Sequence, residues 1–250
     1  MGLAYLVAAS VFLSFPRAVT QLGVGAVLVL AYEFLLRAGA APGTWLTADG
    51  NFAGAVDRFF LRGHMLTPTF DPEGVLAVLP TAATAILGVL AGRWLRHAER
   101  AGPRILALAV AGLVLLGAGV ALHPVIPINK SLWSASFVLV TGGLCSLMVA
   151  ALHGVIDVAG LGRWATPFRW LGQNPIAIYV FSSLLTTTFL AIVIGFGGPS
   201  PATLHVWTFE HLYRPLASPE TASLLHAVTF LGIWTAIAGF LHRKQIFLRV

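Results

Sequence analysis

A chain of 250 residues in which 58% are hydrophobic and only 10% are charged is unlike a soluble globular domain, which is about 45–50% apolar and about 25% charged. Too few polar side chains are present to cover a water-facing surface, which argues against a soluble enzyme, a disordered tail and a secreted disulfide scaffold. The net charge of +6 is spread between apolar runs and not gathered on one patch, so it reads as membrane topology and no nucleic-acid partner is expected.

A bilayer-spanning helix needs about 20 apolar residues. In chain order, such runs lie at residues 19–36, 76–95, 105–122, 132–152, 177–196 and 222–241. A shorter run at 3–15 precedes them. It has no charged n-region and no A-x-A-like cleavage site, so it reads as a spanning helix without its first turns and not as a signal peptide. The expected fold is an all-α polytopic membrane helix bundle of about seven transmembrane helices, in one transmembrane domain covering 1–250. Arginines follow the first run (Arg17), the third (Arg93, Arg96, Arg100, Arg104) and the fifth (Arg163, Arg169), and Arg243, Lys244 and Arg249 follow the seventh. The other loops are acidic or balanced. The positive-inside rule then places the N-terminus outside and the C-terminus in the cytoplasm. Two long outer loops, about 38–74 and 197–221, are too long for idle connections.

The first of these loops carries His64, Asp71 and Glu73. A histidine oriented by carboxylates can act as a general base. Asp71 and Glu73 equally suit an N-cap and a first helical turn. In the third run, Thr81, Thr84, Gly88 and Gly92 share one helix face, where small residues favour close packing, and Pro80 is expected to kink the run. Arg93 and Arg96 at its end, with Arg100 beyond, are either topology anchors or a docking site for an anionic cofactor phosphate.

Pro127 and Asn129 suggest a turn that opens the fifth helix, on which Lys130, Ser134, Phe137, Thr141 and Cys145 form one stripe. Lys130 can snorkel to the interface or face a polar cavity, and the nearby Asn129, Ser134 and Thr141 favour the cavity. Asn174-Pro175 reads as a helix start with Asn174 as N-cap. His123, His153, His205, His211, His226 and His242 are scattered. No Cys/His cluster has zinc spacing, and Cys145 is a lone cysteine, so no metal is expected. No G-x-S-x-G, P-loop or H-E-x-x-H is present.

The run Asn129-Lys130-Ser131-Leu132-Trp133, with Thr141-Gly142-Gly143 after it, resembles the Asn-Lys-x-Leu-Trp signature of the heparan-alpha-glucosaminide N-acetyltransferase family. Asp71-Pro72-Glu73-Gly74 with Leu87-Gly88-Val89-Leu90-Ala91-Gly92 is similar to another family block. So are Asp157-Val158-Ala159-Gly160 and Gly172-Gln173-Asn174-Pro175-Ile176. The blocks occur in family order over nearly the whole chain and match the C-terminal two thirds of the family pattern.

The resemblance implies a transmembrane acetyltransferase that takes acetyl from cytosolic acetyl-CoA and gives it to an amino sugar or cell-envelope glycan on the outer side. It implies a bacterial cytoplasmic-membrane protein, with a homodimer left open. Arg93, Arg96 and Arg100 would attract the CoA phosphates. Asn129, Lys130, Trp133 and Ser134 would bind the acceptor, with His64, Asp71 and Glu73 as weak candidates for acid–base work. Family members have more spans, and their catalytic His, in a His-Ala-x-Trp-like stretch, has no counterpart here. An even number of further spans before Met1 would fit the expected topology. A small polytopic transporter, and an inactive scaffold that keeps the fold, are the alternatives.

Overall fold

The computed structural model describes residues 2–47, 50–97, 101–194 and 202–248. Contacts divide the chain into two compact units, residues 1–160 and 161–250.

The first unit contains α1 (Gly2–Ser14), α2 (Ala18–Ala38), α3 (Phe52–Phe60), α4 (Val78–His97), α5 (Ala101–Leu122) and α6 (Ala135–Leu152), with one turn of π-helix at His153–Val158. Pro16 stops α1 because a proline cannot continue the hydrogen-bond ladder. The buried Gln21 side chain on α2 donates to the Phe15 carbonyl at 2.7 Å, which satisfies an acceptor that the end of α1 leaves open. Ala8 and Val11 of α1 and Ile86 of α4 form a buried apolar cluster, with Val24 and Leu28 of α2 against it.

Pro80 lies in the first turn of α4, where an N–H has no intrahelical partner, so the expected mid-run kink does not arise. α5 and α6 pack through glycines. A Cβ at Gly143 would stand 2.6 Å from the Leu116 nitrogen and 2.7 Å from the Gly112 carbonyl oxygen. This is the close backbone approach that small residues permit between helices in lipid. The stripe expected to pack, Gly88 and Gly92, behaves oppositely, because a Cβ at either position would meet nothing within 4 Å.

The second unit contains a 3₁₀ turn (Arg163–Ala165), α7 (Thr166–Gln173), α8 (Pro175–Ala191), a two-residue antiparallel pair β1 (Val193–Ile194) and β2 (Ala202–Thr203), α9 (Leu204–Thr208), irregular helical turns over Phe209–Tyr213 and Arg214–Leu216, and α10 (Pro219–Arg243). α8 begins at Pro175 as the Asn-Pro signal requires. The buried Asn174 side chain does not cap it. Its amide donates to the Ile246 carbonyl at 3.0 Å and its oxygen accepts from the Leu248 nitrogen at 2.7 Å, which ties down the C-terminal tail. Trp170 stacks on His242 at 6.1 Å, and the His242 ring nitrogen meets Gln173 Oε1 at 2.8 Å.

Among the described residues, five helices are long and apolar enough to cross a membrane: Ala18–Ala38, Val78–Arg96, Gly102–Leu122, Ala135–Val158 and Pro219–Arg243. A sixth span arises if Arg163–Gln173 and Pro175–Ala191, bent by 74°, are one crossing. α1 is apolar but shorter, at 13 residues. Only 17–33% of each span's apolar window is buried, so the medium around these helices must itself be apolar. The chain is an all-α integral membrane protein in which, among the described residues, the small β1–β2 pair is the only strand structure.

Replacing Gly143 with alanine forces a methyl into the backbone of α5. The expected cost is about 1–3 kcal/mol, read as a lowered thermal midpoint in detergent, whereas Gly88→Ala leaves the midpoint unchanged or raised. Equal effects of the two variants would contradict this packing.

Candidate functional site

α2 ends where α4 and α6 begin, and one buried carboxylate organises that end of the first unit. Glu33 lies on α2 with 4% of its surface exposed. Its Oε1 accepts from the Ala135 backbone N–H, the first residue of α6, at 2.7 Å. Its Oε2 accepts from Arg37 one turn on, also at 2.7 Å. An anion at a helix N-terminus meets unpaired N–H groups and the positive end of the helix dipole. Next to it, the buried Tyr32 hydroxyl donates to the Leu132 carbonyl at 2.6 Å. The Arg37 guanidinium lies over the Trp45 ring at 4.0 Å.

These contacts hold the 127–134 turn. Ser134, fully buried, is the N-cap of α6. Its hydroxyl accepts from the Asn129 nitrogen at 3.0 Å and donates to the Pro127 carbonyl at 2.9 Å. The Asn129 side-chain oxygen accepts from the Leu132 nitrogen at 3.2 Å. Asn129 and Ser134 therefore build the turn, and α6 begins after the signature, not within it. Trp133 sits at φ 51°, a left-handed conformation uncommon for a bulky residue. Its indole N–H donates to the Thr84 hydroxyl on α4 at 3.2 Å. Lys130 is exposed on the turn, and the stripe expected to include it starts at Ser134.

A small crevice of about 20 Å³ opens beside Trp133, lined by Ala4 of α1, Glu73, Gly74 and Thr81. A space of that size holds about one water molecule. Glu73 is exposed, and Asp71 is half-exposed. Both Asp71 oxygens accept backbone N–H groups, from Leu66 at 3.0 Å and Glu73 at 2.9 Å, so Asp71 closes a turn ahead of α4. His64 is exposed, and among the described residues no ion pair joins it to either carboxylate.

A carboxylate that the sequence reading passed over, Asp57 of α3, is buried with 1% of its surface exposed. It accepts from the Val75 nitrogen at 2.8 Å and fills the space that a Cβ at Gly74 would need. Burial is the largest influence on Asp57 and raises its pKa above the ordinary carboxylate value. The Val75 hydrogen bond only partly offsets that rise.

At the opposite end of α1 and α4, the two helices bound an open groove of about 870 Å³. Phe12, Leu13, Gly88, Val89 and Gly92 line it, and Arg93 and Arg96 stand at its end. Arg93 donates to the Pro16 carbonyl at 2.9 Å and lies 5.8 Å from the Phe12 ring centroid. Arg100 lies outside the described residues. From Ala85 to Arg96 the groove follows α4 for about 16 Å at 1.5 Å per residue. The crevice residues Ala4 and Thr81 lie one turn beyond the groove residues Ala8 and Ala85. The groove with its two arginines and the crevice beside Trp133 and Glu73 thus lie in line along the α1–α4 contact as two separate spaces. Among the described residues, no three His, Cys, Asp or Glu side chains come together to hold a metal ion.

No family model matches the chain. The chain is similar to heparan-alpha-glucosaminide N-acetyltransferase from Homo sapiens, 28% identical over 228 residues that take in 83% of this chain and 31% of that protein. The Mus musculus protein of the same name is also 28% identical over 228 residues, with 32% of it covered. The chain therefore spans about a third of the length of the curated relatives it matches, a smaller share than the two thirds expected from the motif order.

Glu33→Ala leaves the Ala135 N–H buried without an acceptor, at a cost of about 1–3 kcal/mol. Amide hydrogen exchange at residues 129–136 is expected to quicken in that variant more than at α5, and unchanged protection there would contradict the pinning role. The second expectation concerns pH. Because the folded pKa of Asp57 is raised, its stability contribution is full below the unfolded pKa and is lost as pH rises through the folded one. Asp57→Asn keeps the acceptor for Val75 and flattens that fall, read from thermal midpoints between acid and neutral pH. An unchanged slope would show that Asp57 does not carry it.

Proposed function

We propose that the chain, similar to the heparan-alpha-glucosaminide N-acetyltransferases, is all or part of a transmembrane acetyltransferase of that family. Acetyl-CoA is the donor, taken up from the cytoplasm, and an amino sugar or cell-envelope glycan on the far side is the acceptor. The observation that carries this reading is the α1–α4 seam. It carries a groove ended by Arg93 and Arg96 and, one helical turn beyond, a crevice beside Trp133 and Glu73. A phosphate-bearing thioester cannot cross lipid, so its acetyl end must reach the acceptor along a path between helices.

Arg93 and Arg96 hold the phosphates, because a guanidinium fork matches phosphate oxygens with charge-assisted hydrogen bonds. Arg100 is assigned with them from the sequence. The open space at Gly88 and Gly92 admits the narrow pantetheine arm. At the other end the acceptor amine meets Trp133, and Lys130 attracts an anionic group on the same sugar chain. Attack of a neutral amine on the thioester carbonyl forms the amide C–N bond and releases the CoA thiolate. The amine proton must leave during that step. Of the two loop carboxylates at the crevice, Asp71 and Glu73, Glu73 is assigned to take it, since both Asp71 oxygens accept backbone N–H groups. Asn129 and Ser134 act by holding the turn. The membrane is the cytoplasmic membrane of a bacterium in this reading. A homodimer has no supporting observation.

Arg93→Gln and Arg96→Gln each remove charge-assisted contacts to phosphate. The expected loss of acetyl-CoA affinity is about tenfold or more for each, measured by titration of the chain in nanodiscs, with thermal stability kept in Arg96→Gln, whereas Arg93→Gln also gives up its bond to the Pro16 carbonyl. Unchanged affinity in both variants would remove the groove from the reaction. Flux of a solute without any acetyl-CoA binding would favour the transporter reading instead.

A further inference from the structure

The second unit leaves a space between two of its helices. A groove of about 560 Å³ lies between α8 and α10, lined by Ala177, Phe181 and Thr188 of α8, Trp234 and Leu241 of α10, and Leu248 of the C-terminal tail. From Ala177 to Thr188 it follows α8 for about 16 Å at 1.5 Å per residue. That is about half of the roughly 30 Å hydrocarbon core of a bilayer, the depth of one leaflet. The walls are aliphatic and aromatic apart from Thr188, whose hydroxyl donates to the Leu184 carbonyl at 2.8 Å.

One end of the groove is basic. Arg243 and Lys244 close α10 two and three residues after Leu241, and both are exposed. α7 lies at the same level. It turns 74° away from α8 and packs on the last turns of α10, where Trp170 stacks on His242 and Gln173 meets the His242 ring. The face of this segment turned away from α10 carries Trp164 and Phe168, 52% and 65% exposed, with their rings 6.1 Å apart, edge to face. Arg163 and Arg169 are exposed on the same segment. Because α10 is long and apolar enough to span, its last turn marks a membrane boundary. Aromatic rings and arginines together at that depth make an interfacial helix. No Asp or Glu occurs between Asp157 and Glu210 or after Glu220, and among the described residues none of the four cations is in an ion pair. The other end of α10 carries Glu220 instead.

We propose that this groove and its basic end bind one anionic glycerophospholipid. One acyl chain lies along α8 and α10, and the phosphate sits among Arg163, Arg169, Arg243 and Lys244. Guanidinium forks give the phosphate charge-assisted hydrogen bonds, and the Trp164 and Phe168 rings sit at headgroup depth. An anionic headgroup keeps the full attraction of the four cations, whereas a zwitterionic one brings an ammonium that they repel. An acidic peptide or a nucleic acid would meet the cations and leave the apolar groove empty. The lipid site is separate from the α1–α4 groove and does not depend on acetyl transfer.

The test is native mass spectrometry of the detergent-solubilised chain with phosphatidylglycerol and phosphatidylcholine of the same acyl chains. A phosphatidylglycerol carrying a mid-chain diazirine is cross-linked in parallel and its adducts are mapped. The expected result is binding of phosphatidylglycerol at least tenfold tighter than phosphatidylcholine, with adducts on residues 177–188 and 234–241. The double variants Arg163→Gln with Arg169→Gln, and Arg243→Gln with Lys244→Gln, are each expected to weaken phosphatidylglycerol about tenfold and to leave phosphatidylcholine unchanged. The first pair is also expected to leave the thermal midpoint unchanged, since both side chains are exposed. Equal binding of the two lipids, a preference that survives in both double variants, or adducts spread evenly over the other spans would overturn the proposal. Displacement of phosphatidylglycerol by acetyl-CoA would also overturn it, by giving these cations to the cofactor phosphates. Failure of the α1–α4 groove to bind acetyl-CoA leaves every one of these lipid readouts unchanged.

Discussion

The first unit depends on a single carboxylate placed where lipid would otherwise make it intolerable. Glu33 is accommodated because both of its oxygens are engaged, one by the N-terminus of α6 and one by Arg37. A buried charge that is paired and hydrogen-bonded avoids most of the desolvation penalty that an isolated one would suffer. The same contact fixes α2 against α6. Together with the Tyr32 hydroxyl on Leu132, it sets the turn from which Trp133 reaches Thr84 on α4. The left-handed backbone of Trp133 costs on the order of 1–2 kcal/mol by itself, and it persists because its neighbours on either side, Leu132 and Ser134, are both tied down. Glu33 is thus a positioning residue for the crevice, and it touches no part of it.

Glycine serves opposite ends in the two halves of this unit. Gly112 and Gly143 let the α5 and α6 backbones touch. Gly88 and Gly92 on α4 touch nothing and leave the groove beside α1 open. The first pair exchanges side-chain volume for helix contact, the main source of association between helices in lipid. The second pair leaves a trough whose chemistry is set by the two arginines at its end.

Five of the seven expected spans were legible because runs of about 20 apolar residues need no tertiary information to be recognised. Caps and breaks were partly legible. Asn174-Pro175 marks the start of α8 correctly, yet the Asn174 side chain is drawn to the C-terminal tail, a contact between residues 72 and 74 apart in sequence. The signature around Trp133 was visible as composition, but its division of labour was not. Asn129 and Ser134 look like ligand contacts until their hydrogen bonds show that they close a turn. Glu33 lay unnoticed inside an apolar run, although a charge in such a run paired at i,i+4 with Arg37 is the signal that could have found it. α7, with Arg169 in it and Arg163 just before, falls outside the apolar run at 177–196, so hydropathy reads it as loop and does not reveal its 74° bend to α8.

The account stands on the claim that acetyl-CoA enters the seam between α1 and α4. A photoreactive acetyl-CoA analogue, cross-linked to the chain in nanodiscs and mapped by mass spectrometry, tests it most directly. The account predicts adducts on residues 5–16 and 85–96, competed away by acetyl-CoA and lost when Arg93 and Arg96 are both replaced by glutamine. Adducts confined to other helices, or adducts on the seam that persist without the two arginines, would contradict it.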